Sequence, residues 1–455
     1  MLVEYEGCSL IADPIHRYIP FTVPKHSNEI TEKNLIDSPW VQRLRYIYQL
    51  QSARWVYPSA EHSRFQHCLG AMHLAGTFAR HLYPSLSRVL GDACPSQAYV
   101  EEYMRITGLL HDVGHGPFCH FFDHNFLSEY GLIHEDISQV IIRDHLGDLI
   151  RQIRRSPNGV FAAGEELDPE EIAFPIKKDA EDDLSKPEWL RFLQPLTNGI
   201  FTFDNLDYVS RDSYMCGVSV GPIDRDRLIY YTFVSPKGLT LHRSGDGAFT
   251  IFLNARKYLY ENVYYHRTTR AIDLHLRELF PETMRRIVPG NPLDYMEHYL
   301  HLTDWSLLQE VSRWGQKDGP LGREWKRILN RDLKWKLAYE RTLSLAELQS
   351  GLDSIEVPDW ETTIRDALPS GHQGLTFRVD IATQDPRPEN PLAMGKKQLH
   401  TYDPSTDSIT KESLAELFAF IPSKIVKFRV FALDHENDAL LAHRTEEVFR
   451  TIAGP

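Results

Sequence analysis

Cysteine is scarce: Cys8, Cys68, Cys94, Cys119 and Cys216 are scattered over 455 residues and never form a CxxC pair. That excludes a disulfide framework and a thiolate zinc site, and a reducing, cytoplasmic location is expected. No apolar run is long enough to span a bilayer, so no membrane partner is expected. Residues 1–7 lack a charged-then-apolar pattern, and no secretory signal is expected. Positive charge is in deficit, with 50 Lys and Arg against 63 Asp and Glu and a formal net charge of −13. A general nucleic-acid coat carries the opposite balance, although a small basic pocket for one nucleotide stays compatible with this one. Internal repeats and low-complexity tracts are missing, which excludes solenoid and linker architectures. What remains, 42% hydrophobic and 25% charged residues, is an ordinary globular balance in a chain long enough for two to three domains.

The pattern predicts a mainly α protein: a multi-helical core over residues 1–345 and a small α+β module over 346–455. Residues 63–82 and 99–111 carry apolar side chains three and four apart, the spacing of helices. Residues 36–50 read as a short turn followed by an amphipathic helix, with Asp37-Ser38-Pro39 as its start signal. Gly114, Gly116 and Pro117 stop a helix directly after His111-Asp112. Residues 155–187, polar and charged through Lys177-Lys178-Asp179-Ala180-Glu181-Asp182-Asp183, read as a solvated insert. In the C-terminal part, residues 375–381 and 426–432 read as strands, and 410–418 between them as a capped helix.

Three islands carry the chemistry. They are His62-Ser63-Arg64-Phe65-Gln66-His67, His111-Asp112-Val113-Gly114-His115-Gly116-Pro117-Phe118, and Asp204-Asn205-Leu206-Asp207-Tyr208-Val209-Ser210-Arg211-Asp212. Alone, His67 is a core histidine, Asp204 a helix cap and His-Asp a chance pair. Together, His67, His111, Asp112 and Asp204 make a mixed nitrogen and oxygen donor set for a divalent metal: Mg, Mn, Fe, Co, Ni or Zn. Such a metal assists hydrolysis of a phosphate ester or anhydride. Arg64 and His67 share a helix face, and Asp204, Tyr208 and Asp212 form one i,i+4 stripe. Asp207 and Arg211 read as a structural ion pair worth about 0.2–0.5 kcal/mol. His115, His120, Asp123 and His134 follow the dyad closely and are candidates for acid–base work; the chain has 21 histidines, so some clustering is expected by accident. His124 and His145 sit in no motif and read as structural.

These islands resemble the HD-domain phosphohydrolases, most closely their deoxynucleoside triphosphate triphosphohydrolase branch. The shared text includes Asp13-Pro14-Ile15-His16, Gln42-Arg43-Leu44-Arg45-Tyr46-Ile47, Gln49-Leu50, His134-Glu135, Asn198-Gly199-Ile200 and Asp207-Tyr208 with Arg211-Asp212. The likeness runs from about residue 11 to 290 and is looser beyond. No sterile-alpha-motif segment, which some animal members carry, is expected.

The resemblance implies hydrolysis of a dNTP to the deoxynucleoside and inorganic triphosphate. It implies that the tetrad binds the metal and that His115, His120, His134 and Asp123 handle phosphate and proton. Arg64 and Arg256 grip phosphates. Gln49 and Asp212 bind the 3′-hydroxyl, while Leu50 and Tyr208 crowd the 2′ position. Asp37, Gln42 and Arg45 match a site for an activating nucleotide. A nucleotide substrate and a homo-oligomer, dimer or tetramer, are the implied partners. Departures stand beside these matches. Asn205 replaces a phosphate-binding lysine, Tyr265 a glutamine near the base, and Ser9 and Asn262 basic residues that hold activator phosphates. Other nucleotide substrates (a monophosphate, a cyclic or oligonucleotide phosphodiester) stay open, as does a non-catalytic nucleotide or single-stranded nucleic-acid binder.

Overall fold

A computed structural model describes residues 6–177, 185–316, 319–343, 357–384, 399–410 and 425–453. The core is built on α1 (Arg64–Leu90) and α2 (Gln97–Leu110), which pack along their lengths. Ser63 caps α1 in a reciprocal box with Gln66, and the Ser96 hydroxyl accepts from the Tyr99 amide at the start of α2. Past His111 the chain turns through two short helices, α3 (His120–Asn125) and α4 (His134–Val140). α5 (Phe203–Cys216) starts at Thr202, whose hydroxyl accepts from the Asn205 amide, and ends at Gly217 with φ 68°. α5 lies against α1. At their crossing a Cβ on Gly70 would stand 1.9 Å from Asp207 Oδ1, so only glycine fits. Three further helices, α6 (Asp246–Leu259), α7 (Arg267–Ile287) and α8 (Asp304–Trp314), enclose the rest.

The predicted helix at 36–50 is much shorter: it spans Pro39–Gln42, capped by Ser38, and tightens into a 3-10 turn at Arg43–Tyr46. The insert expected at 155–187 is partly core. Leu167, Ile172, Ala173 and Ile176 are buried behind α2 and α4, because their apolar side chains recur at helical spacing within a polar sequence. Residues 178–184 of that insert lie outside the described residues.

Hairpins interrupt the helical part, among them a minimal one that pairs Arg155–Ser156 with Gly159–Val160. β1 (Cys8–Asp13) pairs antiparallel with β2 (Arg17–Thr22), and β3 (Thr232–Ser235) with β4 (Gly238–His242). The second pair is too short to show a period in the sequence.

In the C-terminal part, β5 (Lys336–Thr342), β6 (Phe377–Gln384) and the strands β7 (His400–Asp403), β8 (Ser408–Thr410) and β9 (Ile425–Ala432) form two sheets. One is the antiparallel order β5-β9-β6; the other, β8-β7-β4-β3, joins β7 parallel to β4 of the helical part. β5 precedes residue 345 yet pairs with β9, so the module's sheet crosses the expected boundary. Strands at 375–381 and 426–432 are present as β6 and β9, whereas the helix expected at 410–418 falls outside the described residues apart from Thr410, which ends β8. α9 (Val357–Ala367) and α10 (Asp438–Ala453) cover the three-stranded sheet, where Trp360, Phe428 and Phe449 meet with ring centroids 4.7–4.8 Å apart. Arg270 on α7 binds Asp380 on β6 through both carboxylate oxygens, and Tyr265 donates to the Thr383 carbonyl at 2.6 Å.

Candidate metal centre

α1, the end of α2 and the start of α5 bring His67, His111, Asp112 and Asp204 to one point. His67 Nε2 lies 3.3 Å from His111 Nε2, 3.1 Å from Asp204 Oδ1 and 3.7 Å from Asp112 Oδ2. His111 Nε2 lies 3.4 Å from Asp112 Oδ2 and 3.7 Å from Asp204 Oδ1. Both rings are locked from behind. His67 Nδ1–H donates to Asp207 Oδ2 at 2.8 Å, and His111 Nδ1–H to the Gly108 carbonyl at 2.9 Å. Each Nε2 lone pair therefore points into the same small space, the arrangement that metal-ligating histidines require. Two lone pairs at this distance repel unless a cation sits between them, so the donor set fits a divalent metal. Without one a proton takes its place: burial works against it, but Asp204 and Asp207 outweigh burial and lift the His67 imidazole to about 10. The Asp204 side chain is 28% exposed while those of the other three ligands are 10% exposed or less, so a ligand approaches past Asp204.

A second cluster adjoins the first. His115, His120, Asp123 and His134 offer ligand atoms all within 4.8 Å of one another. His134 Nδ1 meets Asp123 Oδ2 at 2.6 Å, and its ring stacks on His115 at 3.6 Å. His115 is buried with no hydrogen-bond partner on either nitrogen. Burial, and then Arg64 and His134, push its pKa well below the usual histidine value, so it is neutral at pH 7. His115 Nε2 stands 3.4 Å from Asp112 Oδ1, which links the two clusters. His120 is the outward member, with its side chain 57% exposed.

The other expected site residues fall around this pair of clusters. Arg64 Nη1 donates to Asp112 Oδ2, and its Nε points to Cys119 Sγ at 2.9 Å. Burial pushes the Cys119 thiol up to about 12, so it stays protonated and donates to the Tyr48 carbonyl. Asp212 is held by His62 Nε2 at 2.8 Å and by the Tyr264 hydroxyl at 2.6 Å. The Tyr208 and Tyr264 rings lie 6.5 Å apart, and Arg256 neighbours Tyr208 and Tyr260. Gln49 Oε1 and Arg256 Nε are buried without partners, and Leu50 is buried beside Gln49. The Asn205 amide donates to Asp204 Oδ2 at 3.4 Å. Of the proposed activator residues, Asp37 pairs with Lys33, Gln42 donates to the Ile36 carbonyl, and Arg45 donates to Gln42 while covering the Phe65 ring. All three make local contacts at or near the surface.

Sequence reasoning passed over several residues that build the site. Arg43, beside the expected Gln42 and Arg45, is the buried one. Its guanidinium donates to the carbonyls of Val113, His115, Tyr299 and Leu302, pinning the turn after His111-Asp112. Asp304 accepts from the amides of Tyr48 and Phe118 and so ties the Gln49-Leu50 segment to the histidine turn. Phe118 and Cys119 both have positive φ, 60° and 53°, in that turn. Asp207 and Arg211 are not a surface pair but a buried one, joined through both carboxylate oxygens and carrying His67. Clusters of Arg and Asp at helical spacing give no sign of burial in a sequence.

The comparisons agree with this geometry. The HD domain family matches residues 64–176. An uncharacterized Bacillus subtilis protein, YwfO, is 27% identical over 70% of this chain and 70% of its own. Proteins named deoxynucleoside triphosphate triphosphohydrolase SAMHD1 are similar too: the human protein is 30% identical over 66% of this chain, and the chicken protein 31% over 59%. The chain spans about half the length of these animal relatives, 50% and 44%. A solved structure of a hypothetical protein from Aquifex aeolicus shares the fold, with a TM-score of 0.70, 24% identity, and coverage of 96% of this chain and 99% of its own. The His-Asp dyad lies within the segment that matches the HD domain family, and His67 and Asp204 converge on it, so the geometry and the similarity fall on the same residues.

Proposed function

We propose that this protein is a metal-dependent phosphohydrolase that converts deoxynucleoside triphosphates to the deoxynucleoside and inorganic triphosphate. The observation that carries the reading is the convergence of His67, His111, Asp112 and Asp204 beside a second, histidine-rich cluster. A divalent metal held by that tetrad would polarise a phosphate oxygen and acidify a bound water. Arg64 and Arg256 would bind phosphate oxygens, and the unpartnered Nε of Arg256 supports an anion there. Cleavage between the α-phosphorus and the 5′-oxygen leaves an oxygen that needs a proton. His115, His120 and His134 stand in reach of one another to supply it, with Asp123 fixing the orientation of His134. The side-chain amide of Gln49, buried with its Oε1 unpartnered, would donate to the 3′-hydroxyl oxygen and Asp212 would accept its proton, while Leu50 and Tyr208 would exclude a 2′-hydroxyl. The likeness to proteins named for dNTP hydrolysis supports the same substrate class.

Asn205 favours a second reading, hydrolysis of another nucleotide. It turns its amide toward Asp204 where the branch carries a cation for the triphosphate. One experiment separates the readings. The pure protein is incubated with dNTPs, NTPs, monophosphates and cyclic nucleotides plus Mg²⁺, Mn²⁺, Co²⁺ or Ni²⁺ in ¹⁸O-water, and products are identified by mass. The expected products from dATP are unlabelled deoxyadenosine and a triphosphate carrying the label. Monophosphate or pyrophosphate as the first product would move the protein to the second reading.

A further inference from the structure

Behind the metal centre runs a buried hydrogen-bond chain that the hydrolytic scheme does not use. His67 Nδ1–H donates to Asp207 Oδ2 at 2.8 Å. Asp207 Oδ1 meets His16 Nε2 at 2.6 Å, and His16 Nδ1 meets Arg225 Nη1 at 3.0 Å. An arginine guanidinium only donates. His16 Nδ1 is therefore the acceptor, and the ring proton sits on Nε2, where it is donated to Asp207. Arg211 supplies two more donors to Asp207, at 2.8 and 2.9 Å, and Asp13 accepts from Arg211 Nη1 at 2.8 Å and from the His16 and Ile15 amides. Asp207 thus accepts four hydrogen bonds, two on each oxygen. The turn at Asp13-Pro14-Ile15-His16, closed by Asp13 Oδ1, holds His16 against Asp207. His16 and Asp207 have fully buried side chains, whereas Arg225 is 24% exposed and lines a cavity of about 590 Å³ on the side of α5 turned away from the Asp204–Tyr208–Asp212 stripe.

We propose that His16 and Arg225 are positioning residues for the metal: Arg225 sets the tautomer of His16, His16 orients Asp207, and Asp207 holds His67 with its Nε2 lone pair toward the metal. This rests on the metal reading above. The outer partners of metal-ligating histidines control ring orientation and basicity.

The test is Co²⁺ binding to the metal-free, full-length protein, read by competition with a chelating dye and by the visible absorption of the bound ion. His16→Phe removes both hydrogen bonds. It is expected to weaken Co²⁺ binding by about fivefold or more, below the roughly 10–100-fold effect of a direct partner. His16→Gln, whose amide both donates to Asp207 and accepts from Arg225, is expected to bind within about twofold of wild type. Arg225→Met removes the tautomer-setting donor at a partly exposed position. It is expected to weaken binding and alter the absorption spectrum, and it decides the matter if His16→Phe does not fold. Wild-type affinity and spectrum in a folded His16→Phe or in Arg225→Met would overturn the relay, as would a folded His16→Gln no better than His16→Phe. His111→Ala distinguishes the deeper failure. If it binds Co²⁺ as well as wild type, the metal reading falls; if it loses Co²⁺ while His16→Phe does not, only the relay falls.

Discussion

Two imidazole nitrogens 3.3 Å apart, with both rings' second nitrogens already committed, leave little room for a purely structural role. His111→Ala or Asp204→Ala is expected to abolish stoichiometric metal, measured by elemental analysis, while the circular dichroism spectrum stays that of the wild type. Full metal content in either would remove the tetrad from consideration. The sugar pocket makes a separate demand. Asp212 is buried and already holds His62 and Tyr264, so it is rigid and each oxygen keeps a free lone pair. Losing it leaves partners unpaired at about 1–3 kcal/mol, or roughly 5–150-fold in kcat/KM for dATP. Wild-type protein is expected to prefer dATP over ATP, and equal rates on the two would refute the sugar-site proposal. The Asp204–Tyr208–Asp212 stripe was legible in the sequence because its spacing is local and helical, whereas the tetrad, spread from His67 to Asp204, was legible only when three separate islands were read together. Asp207 was legible only as a pair with Arg211, since its contact with His67 joins two helices that lie far apart in the chain.

At the scale of elements, the turn after His111-Asp112 matters most. Its carbonyls are gripped by Arg43 and its Phe118 amide by Asp304. A Cβ on Gly114 would lie 2.3 Å from the His134 carbonyl oxygen and 2.4 Å from the Ser138 nitrogen, so the turn is wedged against α4 by backbone on both sides. Asp304→Ala would leave the Tyr48 and Phe118 amides unpaired in the interior. The expected cost is about 2–4 kcal/mol in urea unfolding. A fall in kcat/KM should accompany it under conditions where the protein remains folded, because one carboxylate positions both the Gln49-Leu50 segment and the histidine turn. Wild-type turnover in a folded Asp304→Ala protein would show that the link is structural alone. Nothing in the residues before Asp304 announces it: it stands as an ordinary first residue of a helix after Thr303.

Across the whole molecule, buried histidines set the response to pH. His73 on α1 packs its ring against His16, and burial first, then the charges of Arg105, Arg80 and Arg225, lower its pKa to about 3. The unfolded chain takes up a proton below about 6.5, and the folded protein refuses it. The contribution of His73 to stability is therefore complete above about pH 6.5 and is lost as pH falls through the range down to 3. His115 and His120 shift in the same direction and add to the slope. Between pH 7 and 5, His73→Gln is expected to lose about 1–2 kcal/mol less stability than wild type in urea titrations. An identical loss in the two proteins would mean that His73 does not carry the effect.

Composition and spacing alone determined the mainly helical class, the helices that carry the dyad and its partners, and the two longest C-terminal strands among the described residues. Each of these depends on residues close in sequence, where a period of 3.6 or 2 is visible. Other features were decided only by tertiary structure. The apolar residues of 167–176 became core because α2 and α4 present a surface to cover. Lys336–Thr342 became a strand because β9, far along the chain, offered an edge. Arg43, Asp304 and Asp207 became supports of the site because folding buried them, and a buried charged group must find its partners wherever the chain places them.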